Sequence, residues 1–174
     1  MENQINTPED NELKAGENAE ALKAQYELEE KIEKLRLEQN FPLGIIAGTV
    51  AAIIGALLWA VITLLTNYQI GYMAIAVGFL VGYAVRIGGK GIDRIYGIVG
   101  AVLAFIGCLL GNFFSSVGYM ANYFEIGYFE MFSMMDFSTA IELMKETFSV
   151  IDLLFYGFAI YEGYRFSFRK IEIE

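Results

Sequence analysis

Few side chains in this chain could do chemistry, and the candidates stand in apolar surroundings. Asp152 and Glu162 are two acids inside Ser149–Phe168, SVIDLLFYGFAIYEGYRFSF. A charge held in lipid is expensive and points to a proton or ion path unless it has a structural partner. Each of these has one within reach. Ser149 and Asp152 have S-x-x-D spacing, which would commit the Asp152 carboxylate to a capping box at a helix start. Glu162 is followed by Arg165 and Arg169 at i+3 and i+7, along one helix face. Arg86 closes another apolar run and should lie at a similar depth, so a Glu162–Arg86 contact is expected to join two helices. Asn112 is the amide set deep in an apolar run. Its ordinary use is a hydrogen bond to a neighbouring helix, worth about 1 kcal/mol; the alternative is contact with a permeating ion or solute.

Other patterns fail as reaction centres. Gly88-Gly89-Lys90-Gly91 suggests a phosphate loop, but the full pattern needs Gly at position 84 and Ser or Thr at 91. Those positions hold Ala84 and Gly91. A tight turn touching lipid headgroups is the better reading. The chain has one Cys and no His, which excludes an intrachain disulfide and a Cys/His metal site. Cys108 lies in an apolar run and reads as a small packing residue. No nucleophile–base pair, carboxylate dyad or metal triad is evident. No catalytic residue, cofactor or metal is therefore expected, and a membrane enzyme ranks last among the readings.

The elements that would position these residues follow from composition. Of 174 residues 56% are hydrophobic and 19% charged, more apolar surface than a soluble domain of this size can hide. The net charge of −9 is segregated: residues 1–40 carry eleven acidic and five basic side chains. That excess belongs to a solvated arm, and no basic stripe suggests nucleic acid. The acidic, polar start predicts no cleavable signal peptide.

Within residues 1–40, Thr7-Pro8-Glu9-Asp10 has the signature of a helix start, opening a charged helix from Pro8 to about Gln39. Ala21, Gln25, Leu28, Ile32, Leu35 and Gln39 alternate four- and three-residue spacings, a heptad seam with weak ends. A solvated single helix is the plainer reading; a cytoplasmic coiled coil, or a docking helix offering residues 8–39 to a partner, is the sharper one.

Residues 41–66 form an uncharged first span, long enough to cross ~30 Å of hydrocarbon. Residues 70–87 form a second, short one, which snorkelling of Arg86 would extend. Asp93 is placed to cap a third span over 95–117. Residues 119–148 read as an external interfacial loop followed by a short amphipathic helix. There Phe137, Ile141, Met144 and Phe148 repeat, and Thr139 and Glu142 have capping-box spacing. That helix would lie on the leaflet surface or dock on the chain's own spans. Residues 149–168 form a fourth span, and 169–174 a cytoplasmic tail.

Lys31, Lys34, Arg36, Arg86, Lys90, Arg94, Arg165, Arg169 and Lys170 fall in the proposed inner segments, whereas the outer ones carry Lys145. Four spans with both termini inside satisfy the positive-inside bias. The rival has three spans, with 137–168 as an interfacial hairpin. The expected class is an all-α membrane protein with an N-terminal charged helix.

Small residues recur four apart: Gly44, Gly48, Ala52, Ala56 and Ala60; Ala74, Gly78 and Gly82; Gly100, Ala104, Cys108, Asn112 and Ser116, beside Gly107, Gly111 and Ser115. Such faces let backbones approach closely, within one bundle or between subunits.

The segments YQIGYMAIAVGFLVGYAVRIGGKGID (68–93), GIVGAVLAFIGCLLGNF (97–113) and IDLLFYGFAIYEGYRFS (151–167) together resemble a widespread family of small bacterial multi-spanning integral membrane proteins with no known activity. The resemblance covers roughly residues 66–118 and 148–168. It implies a bacterial inner-membrane location and nothing about mechanism; the acidic arm lies outside it.

The functional expectation is a non-enzymatic structural or accessory subunit of an inner-membrane assembly, in contact with lipid and associated with further copies or another membrane partner. The alternative is a small oligomeric channel or transporter using Tyr68, Gln69, Asn112 or Glu162 along its path.

Overall fold

The computed structural model describes residues 8–68 and 71–169. Thr7, Gln69, Ile70 and the tail 170–174 lie outside them, and with them the expected Thr7 cap, the start of the second span and most of the cytoplasmic tail. Among the described residues all regular structure is helical: α1 (Pro8–Leu37), α2 (Phe41–Thr66), α3 (Tyr72–Gly89), α4 (Arg94–Tyr123), α5 (Tyr128–Met134), α6 (Phe137–Thr147) and α7 (Val150–Phe166). The chain divides into two compact units, one holding α1 and the other spanning residues 39–170.

The α1 unit is one uninterrupted helix. Leu28, Ile32 and Leu35 are half-buried, whereas Ala21 and Gln25 are exposed, so the seam is apolar in its second half alone. Lys34 and Glu30 pair at 2.7 Å, both well exposed. Solvent screening and the entropy of two long side chains leave such an exposed i,i+4 pair little net effect on stability. Gln39, the last seam position, falls beyond the end of α1 and belongs to the second unit.

In the second unit α3 and α4 pack on each other, α2 lies against both, and α7 also lies against both; α5 and α6 pack on α4. Three helices, α2, α3 and α4, are long and apolar enough to cross a membrane. The fourth, α7, has 17 residues and carries Asp152, Glu162 and Arg165. At ~1.5 Å per residue it is about 25 Å long.

The boundaries follow local chemistry where local chemistry is strong. Asn40 caps α2, its Oδ1 accepting from Leu43 N at 3.0 Å, with Pro42 in the first turn where no N–H is needed. Asn67 and Lys90 close α2 and α3 in left-handed conformation, φ 55° and 48°. Ser149 and Asp152 form the expected capping box: Asp152 accepts from Ser149 N at 2.8 Å while Ser149 Oγ faces the first-turn N–H groups.

Other boundaries differ from expectation. The third apolar helix does not stop at Val117 but runs to Tyr123. Gly118 passes because its bare backbone fits against Leu64, and Val117 and Ala121 are buried under Met131 of α5, so packing outweighs the poor helix propensity of glycine. Where an interfacial loop is expected, residues 128–134 form α5. The cap of α6 is Asp136, which accepts from Thr139 N at 2.8 Å, and not the Thr139–Glu142 pair. Asp93 precedes α4 but makes no side-chain cap bond.

The small-residue rows pack against one another within the chain. Gly44 meets Gly89, Gly48 meets Val85 and Leu103, Gly78 meets the Ala159 backbone, and Gly100 and Ala104 meet Gly163. On the other side of α4, Gly107 meets Ala52 and Val77, and Gly111 meets Trp59. Ala52, Ala74, Ala104 and Cys108 are buried in the same core. Outward remain the large apolar side chains: Ile46, Ile53 and Leu57 on α2, Phe79 and Tyr83 on α3, Ile98 and Val102 on α4, Leu153, Leu154 and Phe158 on α7. Interior small and exterior large is the arrangement that suits lipid, where helix association depends on close packing.

Candidate functional site

Two polar clusters stand at opposite ends of the four-helix core. The first is built on the glycine-rich turn between α3 and α4. Asn40 N donates to Gly89 O at 2.9 Å, and Arg169 N donates to Gly91 O at 2.8 Å. Gln39 reaches across with both ends of its amide: Nε2 donates to Asp93 Oδ2 at 3.0 Å, and Oε1 accepts from Ile92 N at 3.2 Å. The buried Tyr96 ring covers Gly89 and Gly91, where any Cβ would overlap it, and stands edge-on to Phe41 at 5.6 Å. The turn therefore joins three pieces of chain: the entry to α2, the α3–α4 connection and the exit of α7. Its carbonyls and the Asp93 carboxylate are engaged within the protein, which is the arrangement of a structural knot. A phosphate cradle would need its backbone N–H groups turned to a ligand.

Around the knot lie Arg86, Lys90, Arg94, Arg165 and Arg169. Lys90, Arg94 and Arg165 are exposed, and Arg86 and Arg169 half-buried. The expected Glu162–Arg86 contact does not form: neither side chain makes an ion pair, although α3 and α7 touch at this level through Gly82 and the carbonyls of Glu162 and Gly163. Arg165 does not pair with Glu162 either. Its guanidinium lies 5.9 Å from the centroids of both Tyr161 and Phe166. A cation over ring faces is attracted by their quadrupoles, a contact open to arginine but not to a carboxylate. Glu162 is half-buried and stands free of both arginines.

The second cluster lies at the other end. Asn112 is 4% exposed and donates from Nδ2 to the Tyr156 hydroxyl at 3.0 Å, bridging α4 and α7. One turn on, Ser116 Oγ lies 2.9 Å from Asn112 O and 3.3 Å from Thr147 Oγ1 of α6, so it extends the cluster to a third helix. Tyr156 packs edge-on to Phe105 and Phe148. Asp152, 6% exposed, sits one turn before Tyr156 and is held by its capping role. Cys108, one turn before Asn112, points its thiol at Ala74 O at 3.8 Å, a packing contact with α3. Asn112 thus faces α7 inside a single chain.

Beyond this cluster, α5 and α6 cover the end of α4. Tyr128 donates to Phe114 O at 3.2 Å, and its partial burial raises the phenol above its ordinary value. Asp136 is held below the usual carboxylate range by hydrogen bonds from Thr139. Of the apolar row on α6, expected either on the leaflet surface or docked on the chain's own spans, Ile141 and Phe148 are exposed, and with Met144 and Lys145 they line a shallow groove. Leu143 and Thr147 make the contact with α4 instead. Glu125, Glu130, Asp136, Glu142 and Glu146 are exposed on this part of the chain, beside the one cation Lys145.

Sequence reasoning singles out Asn112, Asp152 and the small-residue rows, and the structure places all of them in helix contacts. It misses Gln39, Tyr156 and Thr147. Tyr156 has a signal in hindsight, an i+4 partner of Asp152 on the α7 face that carries Ala159 and Gly163. Gln39 has none, because its partners lie more than fifty residues away. Among the described residues no three Cys, His, Asp or Glu side chains converge as metal ligands. Comparison with protein-family models, with curated proteins and with solved structures gives no match.

Proposed function

We propose that this chain is a non-enzymatic membrane protein of four crossings, a structural or accessory subunit of a bacterial inner-membrane assembly, with both termini on the cytoplasmic side. The observation that carries the functional part is where the polar groups in the apolar helices point. Asn112, Ser116, Tyr156 and Asp152 are bonded to neighbouring helices or to their own helix start, and the glycine turn is bonded to the chain on either side of it. Groups engaged in this way hold helices together.

The fourth crossing is supported by the Arg169 N to Gly91 O bond, which brings the exit of α7 to the turn that also receives the start of α2. An interfacial hairpin over 137–168 would leave that exit at the opposite face. The orientation rests on the cations gathered at the same end, in keeping with the positive-inside bias. The resemblance of residues 66–118 and 148–168 to small bacterial membrane proteins supports the location.

Since the small-residue rows are covered within one chain, subunit contacts fall to the outward faces. The Phe79–Tyr83 stack on α3, with Phe166 edge-on at 4.8 Å, is such a face. The α1 unit offers its Leu28–Ile32–Leu35 seam to a cytoplasmic partner. The experiment is purification in a mild detergent with mass measurement of the intact particle and identification of retained proteins. An oligomer or a stoichiometric partner is expected; a monodisperse monomer without partners would overturn the reading.

A further inference from the structure

Three faces divide α6. Leu143 and Thr147 make its contact with the core, Thr147 through Ser116 of α4 at 3.3 Å. Glu142 and Glu146 are exposed and stand roughly 160° round the helix from Met144, at about 100° per residue. The third face is the row of Ile141, Met144 and Phe148. Ile141 and Phe148 are exposed, and the row lines a shallow groove with Lys145 at its side.

The neighbours of this row fix its depth. Arg94 opens α4 at the end of the core where the cations gather, and Ser116 lies roughly 33 Å further along at ~1.5 Å per residue. Thr147, bonded to Ser116, therefore stands at the outer edge of a hydrocarbon layer ~30 Å thick. Phe148 reaches further in. Its ring lies 6.1 Å from that of Tyr156, whose hydroxyl takes the Asn112 bond one turn inside Ser116. At that depth a phenylalanine that is 45% exposed has acyl chains around it. The exposed apolar surface is also unbroken. Val150, Ile151, Leu153 and Leu154 carry it from Phe148 onto the outward side of α7 and so to Phe158.

We propose that α6 is an in-plane helix of the outer leaflet, with Ile141, Met144 and Phe148 immersed among the upper acyl carbons of phospholipid and Glu142 and Glu146 turned to headgroups and water. The inference rests on the four-crossing reading, which sets α7 in the bilayer and α6 at its outer edge. Continuity with the lipid-facing side of α7 selects lipid over a protein partner. An apolar row opposite a charged flank is what holds a helix in the interface plane. Here the polar flank is acidic, so attachment draws on apolar burial and on the contact with α4, and not on attraction to anionic headgroups. Lys145 lays its stem along the groove and holds its ammonium at phosphate level.

The test reads the Met144 methyl group. Full-length protein labelled with ¹³C-methyl methionine is placed in phosphatidylcholine nanodiscs, and Met144→Leu identifies the resonance. A lipid with a nitroxide near the glycerol end of its acyl chain should relax that methyl at least severalfold more than a water-soluble gadolinium chelate does. Met131, buried against α4, should respond less to the lipid than Met144. Relaxation by the chelate alone would mean that the row faces water. Relaxation by neither would mean that protein covers it, a second copy or a partner. Either result overturns the proposal. Phe158→Met, halfway along α7, reports separately on the crossing through a lipid with its nitroxide at the chain terminus. If that deep response persists while Met144 is silent, the crossing stands and the placement of α6 falls. If the deep response is lost, the crossing by α7 falls and takes the depth of α6 with it.

Discussion

Asn112 Nδ2 and the Tyr156 hydroxyl meet at 3.0 Å between α4 and α7, with less than 5% of either residue exposed. This bond defines what the deep polar residues do, and it can be measured. An interhelical bond in an apolar core contributes roughly 0.6–2 kcal/mol. Tyr156→Phe removes one partner with little change of shape and should destabilise the folded protein within that range. Asn112→Leu should cost a similar amount, since it strands the phenol. The double variant should cost less than the sum of the two, with the shortfall giving the coupling energy. Steric-trap or denaturant unfolding in micelles reads all three. Strict additivity would mean that the two residues act separately and would remove the case for a structural Asn112.

Glycine positions should separate into two groups by what stands opposite them. A Cβ on Gly78 would come 2.7 Å from Ala159 Cα, and one on Gly163 would come 2.7 Å from Gly100 O; in each case the obstacle is backbone. Gly157, on the same helix as Gly163, has nothing within 4 Å. Gly78→Val and Gly163→Val should therefore force α3 and α4 away from α7, costing about 1–3 kcal/mol or more. Gly157→Ala should be neutral or stabilising by up to about 1 kcal/mol, because glycine is a poor helix former. Thermal stability of detergent-solubilised variants checks the contrast. Equal effects at Gly78 and Gly157 would contradict the packing.

The contrast between legible and hidden features follows sequence distance. The Ser149–Asp152 box was open to sequence reading because both partners lie within one helical turn. The four-residue rows were also legible, since helix periodicity alone places them on one face. Their partners were not: nothing local shows that Gly78 meets Ala159 or that Gln39 holds Asp93. The extension of α4 past Gly118 depends on Leu64 and Met131, which no local propensity reports. Arg86 and Glu162 were matched by depth and charge. The residue that meets Glu162 O is Gly82, one turn before Arg86, so the two charged side chains are offset along the helices, and rotation about the helix axes, which sequence depth does not fix, also decides whether two side chains meet.

The cap of α6 predicts a pH response. Hydrogen bonds from Thr139 lower the Asp136 carboxyl below the usual carboxylate range. A carboxyl whose folded value is depressed stabilises its helix fully above its unfolded value. The contribution disappears as pH falls through the lowered, folded value. A carbon-detected titration of Asp136 should thus give a midpoint below that of the same residue in an unfolded peptide. The first-turn amides of α6 should lose protection over the same acid window. Asp136→Asn keeps a capping acceptor and should abolish the pH dependence while retaining most of the protection. A midpoint at or above the peptide value would mean that Asp136 does not hold the cap.

The proposed four-crossing topology predicts which positions face which side of the membrane. Cys108 is buried, and Cys108→Ser provides a background for single cysteines placed elsewhere. Lys90→Cys and Arg169→Cys should be labelled by a membrane-impermeant thiol reagent only after the bilayer of intact cells or sealed vesicles is opened from the cytoplasmic side. Tyr68→Cys and Glu130→Cys should be labelled from the external side without opening. Arg169 decides between the two arrangements of the C-terminal half. If 137–168 were an interfacial hairpin after three crossings, Arg169→Cys would react from outside together with Glu130→Cys. It would then sit across the membrane from Lys90, which is incompatible with the 2.8 Å bond from Arg169 N to Gly91 O. Protection of Arg169→Cys from external reagent, in step with Lys90→Cys, is therefore the expected outcome. A cysteine at Lys14 of α1 should share that protection if the acidic arm is cytoplasmic.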